Sequence, residues 1–162
     1  NCGKILATVN DQLCESNDMN MFVTVWIGVL TISTGELKYA NAGHEYPAVM
    51  KDGKFTLLKG RHGRVIGGLE GIKYPEYEIR LEPGDKLFLY TDGVTEATDS
   101  DKKLFGTERL LDALNIDPDA PPQQILKNVR GAVDRFVKNE EQFDDLTMLC
   151  LEYRGPLSDS ST

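Results

Sequence analysis

"KLFLYTDGVTEATD", residues 86–99, sets a continuous apolar run against an Asp-Gly step and follows it with two further acids. The run 86–90 has the length and content of a buried strand, and Asp92 stands just past its carboxyl end. Downstream, "LTMLCLEY" (146–153) reads as another apolar strand, with Asp144 and Asp145 immediately before it. If these strands are antiparallel neighbours, the end of one lies beside the start of the other, and Asp92 meets Asp144. Paired carboxylates at adjoining strand ends suit a hard cation, because oxygen donors favour Mg²⁺ or Mn²⁺ over zinc. An Asp-Gly step after a strand is also a common turn, and an acid at a strand start is often simply solvated. On spacing alone both readings stand.

Upstream, residues 4–16 place Ile5, Leu6, Val9 and Leu13 on a helical stripe that Asn17 and Asp18 end. "MFVTVWIGVL" (21–30) is β-branched and aromatic on both parities, as in a strand covered on both faces. Ser33-Thr34-Gly35 turns it into "LKYANA" (37–42). Asp52-Gly53, between "YPAVM" and "FTLL", predicts a tight hairpin, since both turn residues tolerate positive φ. Tyr77, Ile79 and Leu81 alternate with charged residues in a strand with one wet face. Pro83-Gly84-Asp85 then leads into the run at 86. Beyond the acidic loop, 107–115 reads as a short helix capped by Thr107. The prolines of "DPDAPP" precede a longer helix, running to about Asn139, with Ile125, Leu126, Val129, Val133, Phe136 and Val137 as its stripe. One helix, about six strands, two helices and a last strand predict an α+β fold with largely antiparallel sheets. The organisation expected is one domain over 1–153 and a disordered polar tail over 154–162.

At 162 residues, 40% of them hydrophobic, the chain is large enough for one core that buries roughly two thirds of its unfolded surface. A formal charge of −8 disfavours nucleic acid and anionic membranes as partners and favours metal cations. Cys2, Cys14 and Cys150 are an odd set without CxxC spacing, which points to reduced thiols and a cytoplasmic location. No apolar run is long enough to span a bilayer. The chain starts without Met inside an expected helix and reads as a piece of a longer protein.

"FVTVWIGVLTISTGELKYANAGHEYP", "PGDKLFLYTDGVTEA", "FG" and "FDDLTMLCLEY", in this order, closely resemble the PPM-type metal-dependent serine/threonine phosphatases, in the bacterial SpoIIE/RsbU branch. The resemblance runs from about residue 3 to residue 153. It implies a sandwich of two antiparallel β-sheets flanked by α-helices, with two Mn²⁺ or Mg²⁺ ions at one end. It also implies in-line attack of a metal-activated water on phosphorus, without a phosphoenzyme. Carried over, Asp92 and Asp144 are metal ligands. Asp145 is an orienting partner or alternative ligand, and Gly93 allows close backbone approach. The substrate implied is a phosphorylated STAS-domain anti-anti-sigma factor in a partner-switching pathway, with a sensor or receiver domain upstream. The family's upstream Asp-Gly motif, whose Asp bridges both metals, is not in this sequence. The segment alone is therefore expected to bind metal weakly and to have little activity. The rival reading is a non-catalytic phosphatase-like binding module, against which Asp92 and Asp144 weigh.

Three further features are candidates. His44, in "NAGH", invites a general-acid assignment because histidine as a residue type titrates near neutrality, but a histidine holding a turn is the plainer reading. "KGRHGRVIGGLEG" (59–71) gathers Lys59, Arg61, His62 and Arg64 among glycines. Arg61 and Arg64 suit attraction of a phosphorylated substrate, while the glycines suit a mobile solvated loop. Glu96, Asp99 and Asp101 extend the acidic loop and carry no assigned role.

Overall fold

Two antiparallel sheets and four helices make up the computed structural model, which describes residues 1–15, 17–61, 63–138 and 145–156. The expectations placed on Asp144, on His62, on the helix end at Asn139 and on the tail beyond Pro156 lie outside the described residues. The chain divides into two compact units.

The first unit comprises Asn1–His44, Gly60–Pro83 and the chain from Arg154. Its sheet has the order β1 (Val25–Thr31), β2 (Glu36–Ala42), β5 (Tyr77–Arg80), antiparallel throughout. Trp26 stacks on Tyr39 at 5.7 Å, and Tyr39 lies 5.6 Å from Tyr77, so an aromatic row ties the three strands together. Gly28 is needed here, because a Cβ would stand 2.5 Å from the Trp26 ring. β1 is an edge strand and Val29 is 55% exposed, so the cover on both faces expected for this segment is absent among the described residues.

Helix α1 (Cys2–Cys14) begins where Asn1 Oδ1 accepts from the Lys4 N–H at 2.9 Å. Its buried face is Cys2, Gly3, Leu6 and Asn10, packed with Ala40, Ala42, Ile66 and Tyr74. The expected stripe is corrected: Ile5, Val9 and Leu13 are 46%, 38% and 46% exposed. The periodicity is real, but contact is made by the smaller neighbouring face. Gly3 allows it, since a Cβ there would meet the Tyr74 carbonyl oxygen at 2.1 Å.

The second unit comprises Glu45–Lys59 and Gly84–Tyr153. Its sheet has the order β4 (Lys54–Leu57), β3 (Ala48–Lys51), β6 (Lys86–Tyr90), β7 (Met148–Glu152), again antiparallel. Asp52 and Gly53 have φ of 51° and 73°, the left-handed pair of the expected two-residue hairpin. Helices α3 (Gly106–Leu114) and α4 (Pro122–Val137) cover the sheet. Leu110, Leu114, Ile125 and Val129 are fully buried with Phe55 and Phe88. The stripe read on α4 is the one buried, with Leu126, Phe136 and Val137 at its margin. Thr107 does not cap α3, which starts after Phe105 without a side-chain cap.

Candidate functional site

The central strand β6 positions the site. Its neighbours β3 and β7 both run antiparallel to it, so both start where β6 ends. Tyr90 faces Met148, and beyond that pair the Thr91 N–H donates to the Thr147 carbonyl at 3.1 Å. The Thr91 hydroxyl donates to the Asp145 carbonyl at 3.1 Å and accepts from the Thr147 N–H at 3.2 Å. Asp145 thus stands beside the exit from β6, exposed, with its backbone fastened by Thr91. The adjacency of the two strands, expected from the paired acids, is present.

Asp92 does not make a hairpin-like turn. It opens a single-turn helix, α2 (Asp92–Thr95), in which its carbonyl accepts from the Glu96 N–H at 2.7 Å and the Thr95 hydroxyl at 3.3 Å. Extended Thr91 leads straight into helical geometry, so neither Asp92 nor Gly93 takes a positive φ. The turn anchors on buried Gly93, Val94 and Thr95 and leaves the Asp92 and Glu96 side chains exposed.

Glu45, just before β3, was missed by sequence reasoning. Burial, then the nearby charges of Asp92 and Glu96, push its carboxyl above the ordinary range. Tyr90 is likewise pushed up, by burial first and then by Glu45. The charges of Asp92 and Glu96, from a separate segment, therefore bear on Glu45 at the end of β6. Only its place before an apolar run distinguished Glu45 in the sequence, because nothing local reveals which strand β3 pairs with.

Carboxylate oxygens are the donor type a hard divalent cation takes, and a cation there would offset the charge that Asp92 and Glu96 place on Glu45. Among the described residues, no group of three or more His, Cys, Asp or Glu side chains is arranged to hold a metal ion.

The remaining candidates belong to the first unit. His44 is bracketed by Asn41, whose Nδ2 donates to the His44 carbonyl at 2.9 Å and whose Oδ1 accepts from the His44 N–H at 2.8 Å. Its ring Nδ1 lies 3.2 Å from the Thr24 hydroxyl. Arg61 and Arg64 are exposed on a loop that is fastened at many points rather than free. The Arg61 N–H donates to the Tyr77 hydroxyl at 3.1 Å, and the Gly63 N–H to the Asn41 carbonyl at 2.8 Å. Ile66 exchanges backbone hydrogen bonds with Val23. Asn10, wholly buried on α1, accepts from the Gly67 N–H at 3.0 Å and donates to the Leu69 carbonyl at 2.9 Å. Asp11 accepts from the Gly71 N–H at 2.9 Å.

Comparison with known proteins agrees with the class that the two sheets and the acidic strand end define. The family model described as stage II sporulation protein E (SpoIIE) matches residues 1–154. In structure, the chain superposes on the SiaA-PP2C domain of Pseudomonas aeruginosa with a TM-score of 0.80 at 21% identity, covering 94% of this chain and 61% of that one. It superposes on the phosphatase domain of SpoIIE from Bacillus subtilis, presoaked with Mn, with a TM-score of 0.71 at 15% identity, covering 96% and 68%. These likenesses establish the fold as that of a PP2C phosphatase domain. Among relatives in sequence, protein IcfG of Synechocystis sp. is 33% identical over 147 residues, 90% of this chain and 23% of IcfG. Phosphoserine phosphatase RsbU of Bacillus subtilis is 26% identical over 150 residues, 91% of this chain and 44% of RsbU. The chain thus spans less than half the length of either relative. It belongs to the SpoIIE family, in the RsbU-like branch of the PPM phosphatases.

Proposed function

We propose that this chain is the catalytic domain of a metal-dependent phosphoserine/phosphothreonine protein phosphatase using Mn²⁺ or Mg²⁺. The observation that carries the reading is the end of β6, where Asp92 emerges between two antiparallel neighbours and shares its field with Glu45 and Glu96. Asp92 would hold the metal, with Asp144 as a second ligand and Asp145 orienting a ligand or water. Bound there, the ion supplies Lewis-acid polarisation and a water nucleophile at neutral pH. The chain's own part is to fix the ligands. Thr91 pins the start of β7 beside Asp92, and buried Gly93 seats α2 at the strand end. Arg61, Arg64 and His44 are the candidates for contacting the phosphorylated substrate.

Two relatives supply the finer reading. RsbU carries the name phosphoserine phosphatase, and the SpoIIE phosphatase domain was presoaked with Mn. The substrate we propose, from the family resemblance of the sequence rather than from these names, is a phosphorylated STAS-domain anti-anti-sigma factor. The unpaired state of Cys2, Cys14 and Cys150 suits a reducing cytoplasm, and no described helix is long and apolar enough to cross a membrane.

The test is phosphate release from a phosphoserine STAS protein by the intact protein with Mn²⁺. Asp92→Asn is expected to lower kcat/KM by about 100-fold or more, since metal charge stabilisation is worth several kcal/mol. Release that is unaffected by the substitution would sink the assignment of Asp92. No release by the wild-type protein would instead favour the non-catalytic module.

A further inference from the structure

The chain carries 26 acids against 18 bases, yet one groove of the first unit is lined by cations. Arg61, Arg64 and Lys73 stand around a volume of about 510 Å³ whose other walls are Gly63, Ile72, Tyr74 and Pro75. All three cations are exposed, and among the described residues none of their side chains makes an ion pair or hydrogen bond. Two acids that follow in the chain have partners of their own. Glu76 accepts from Asn1 Nδ2 at 2.9 Å and from the Cys2 N–H, and Glu78 faces Lys38 at 3.9 Å.

The backbone beneath these cations is held before any partner arrives. Tyr77, the last ring of the aromatic row, fixes the Arg61 N–H. Gly63 is bonded to Asn41 and lies so close to Tyr74 that a Cβ would stand 2.4 Å from the ring. Asn10 and Asp11 hold the loop after Arg64. Fixing the backbone in advance reduces the ordering cost of binding, and three unpaired cations over an apolar floor suit acidic side chains carried on a peptide better than a bare inorganic anion.

We infer that this groove docks an acidic segment of the protein substrate, recognised through Asp and Glu side chains rather than through the phosphoryl group. The inference rests on the phosphatase reading for the identity of its partner. It adds Lys73 as a specificity-determining residue.

The direct test uses a labelled hexaglutamate peptide and the intact protein, followed by fluorescence anisotropy at low and high salt. Arg61→Glu, Arg64→Glu and Lys73→Glu are each expected to weaken binding by about tenfold, and added salt to weaken the wild-type complex. Circular dichroism melts check that the variants fold. Arg61→Gln and Lys73→Gln, which remove charge without reversing it, should give smaller losses in the same order. The KM for a phosphoserine protein should rise in parallel. Hexaglutamate binding equal in wild type and in all three reversals overturns the inference. So does displacement of the peptide by inorganic phosphate at equal concentration, or stronger binding to phosphatidylserine vesicles than to the peptide. Asp92→Asn separates the two readings: it should lower phosphate release as above and leave peptide binding as in wild type.

Discussion

Single residues here take their chemistry from what the fold places against them. Glu45 and Asp92 are ordinary carboxylates in sequence, and the influence of Asp92 on Glu45 exists only because β3 and β6 pair. Asp92 itself was legible, because an acid after an apolar run is a local signal; Glu45 was not, because its partner strand lies far along the chain. Cys150 is a second case. Facing Phe88 across β6 and β7, its thiol is pushed up to about 11, by burial first and then Glu152, against a lowering influence from Lys86. The folded protein holds this proton more tightly than the unfolded chain, whose thiol titrates at the ordinary value of 9.0. The stabilising contribution is full below about pH 9 and is lost as pH rises to about 11. Urea midpoints measured near pH 8 and pH 10 should fall less for Cys150→Val than for wild type. Equal falls would show that the site does not hold its proton in this way.

At the scale of elements, legibility followed how local the determining chemistry was. The Asp52-Gly53 hairpin was readable because two adjacent residues that accept positive φ specify it. The stripe of α4 was readable because a broad apolar face leaves one way to bury it. On α1 the same periodicity misled, since Cys2, Gly3, Leu6 and Asn10 approach β2 more closely than the bulkier stripe beside them. The polar member of that face is the clamp on the loop after Arg64. Asn10→Ala leaves the Gly67 N–H and the Leu69 carbonyl without their partner and should cost about 2–3 kcal/mol of stability. Denaturant unfolding measures the loss, and a cost under about 0.5 kcal/mol would mean that water or a relaxed loop replaces the clamp.

Across the whole molecule, each unit has its own buried cluster, and protection from hydrogen exchange should map onto them. The slowest amides are expected in β6 and in α4 around Ile125, Val129 and Val133, and earlier exchange in the edge strand β1. Mass spectrometry after timed labelling distinguishes this from uniform protection. The net charge excludes broad attraction to polyanions, and the cationic groove is a local exception that composition concealed. By itself the sequence determined the main strands, the three longer helices, the Asp52-Gly53 turn and the place of Asp92 at a strand end, because each rests on propensity, periodicity or turn chemistry within a few residues, whereas the single turn of α2 was not legible. Only the tertiary structure decided which face of α1 is buried, that Glu45 shares the field of Asp92, and that Lys73 joins Arg61 and Arg64. Those depend on pairings and close approaches between distant segments, and no local pattern encodes them.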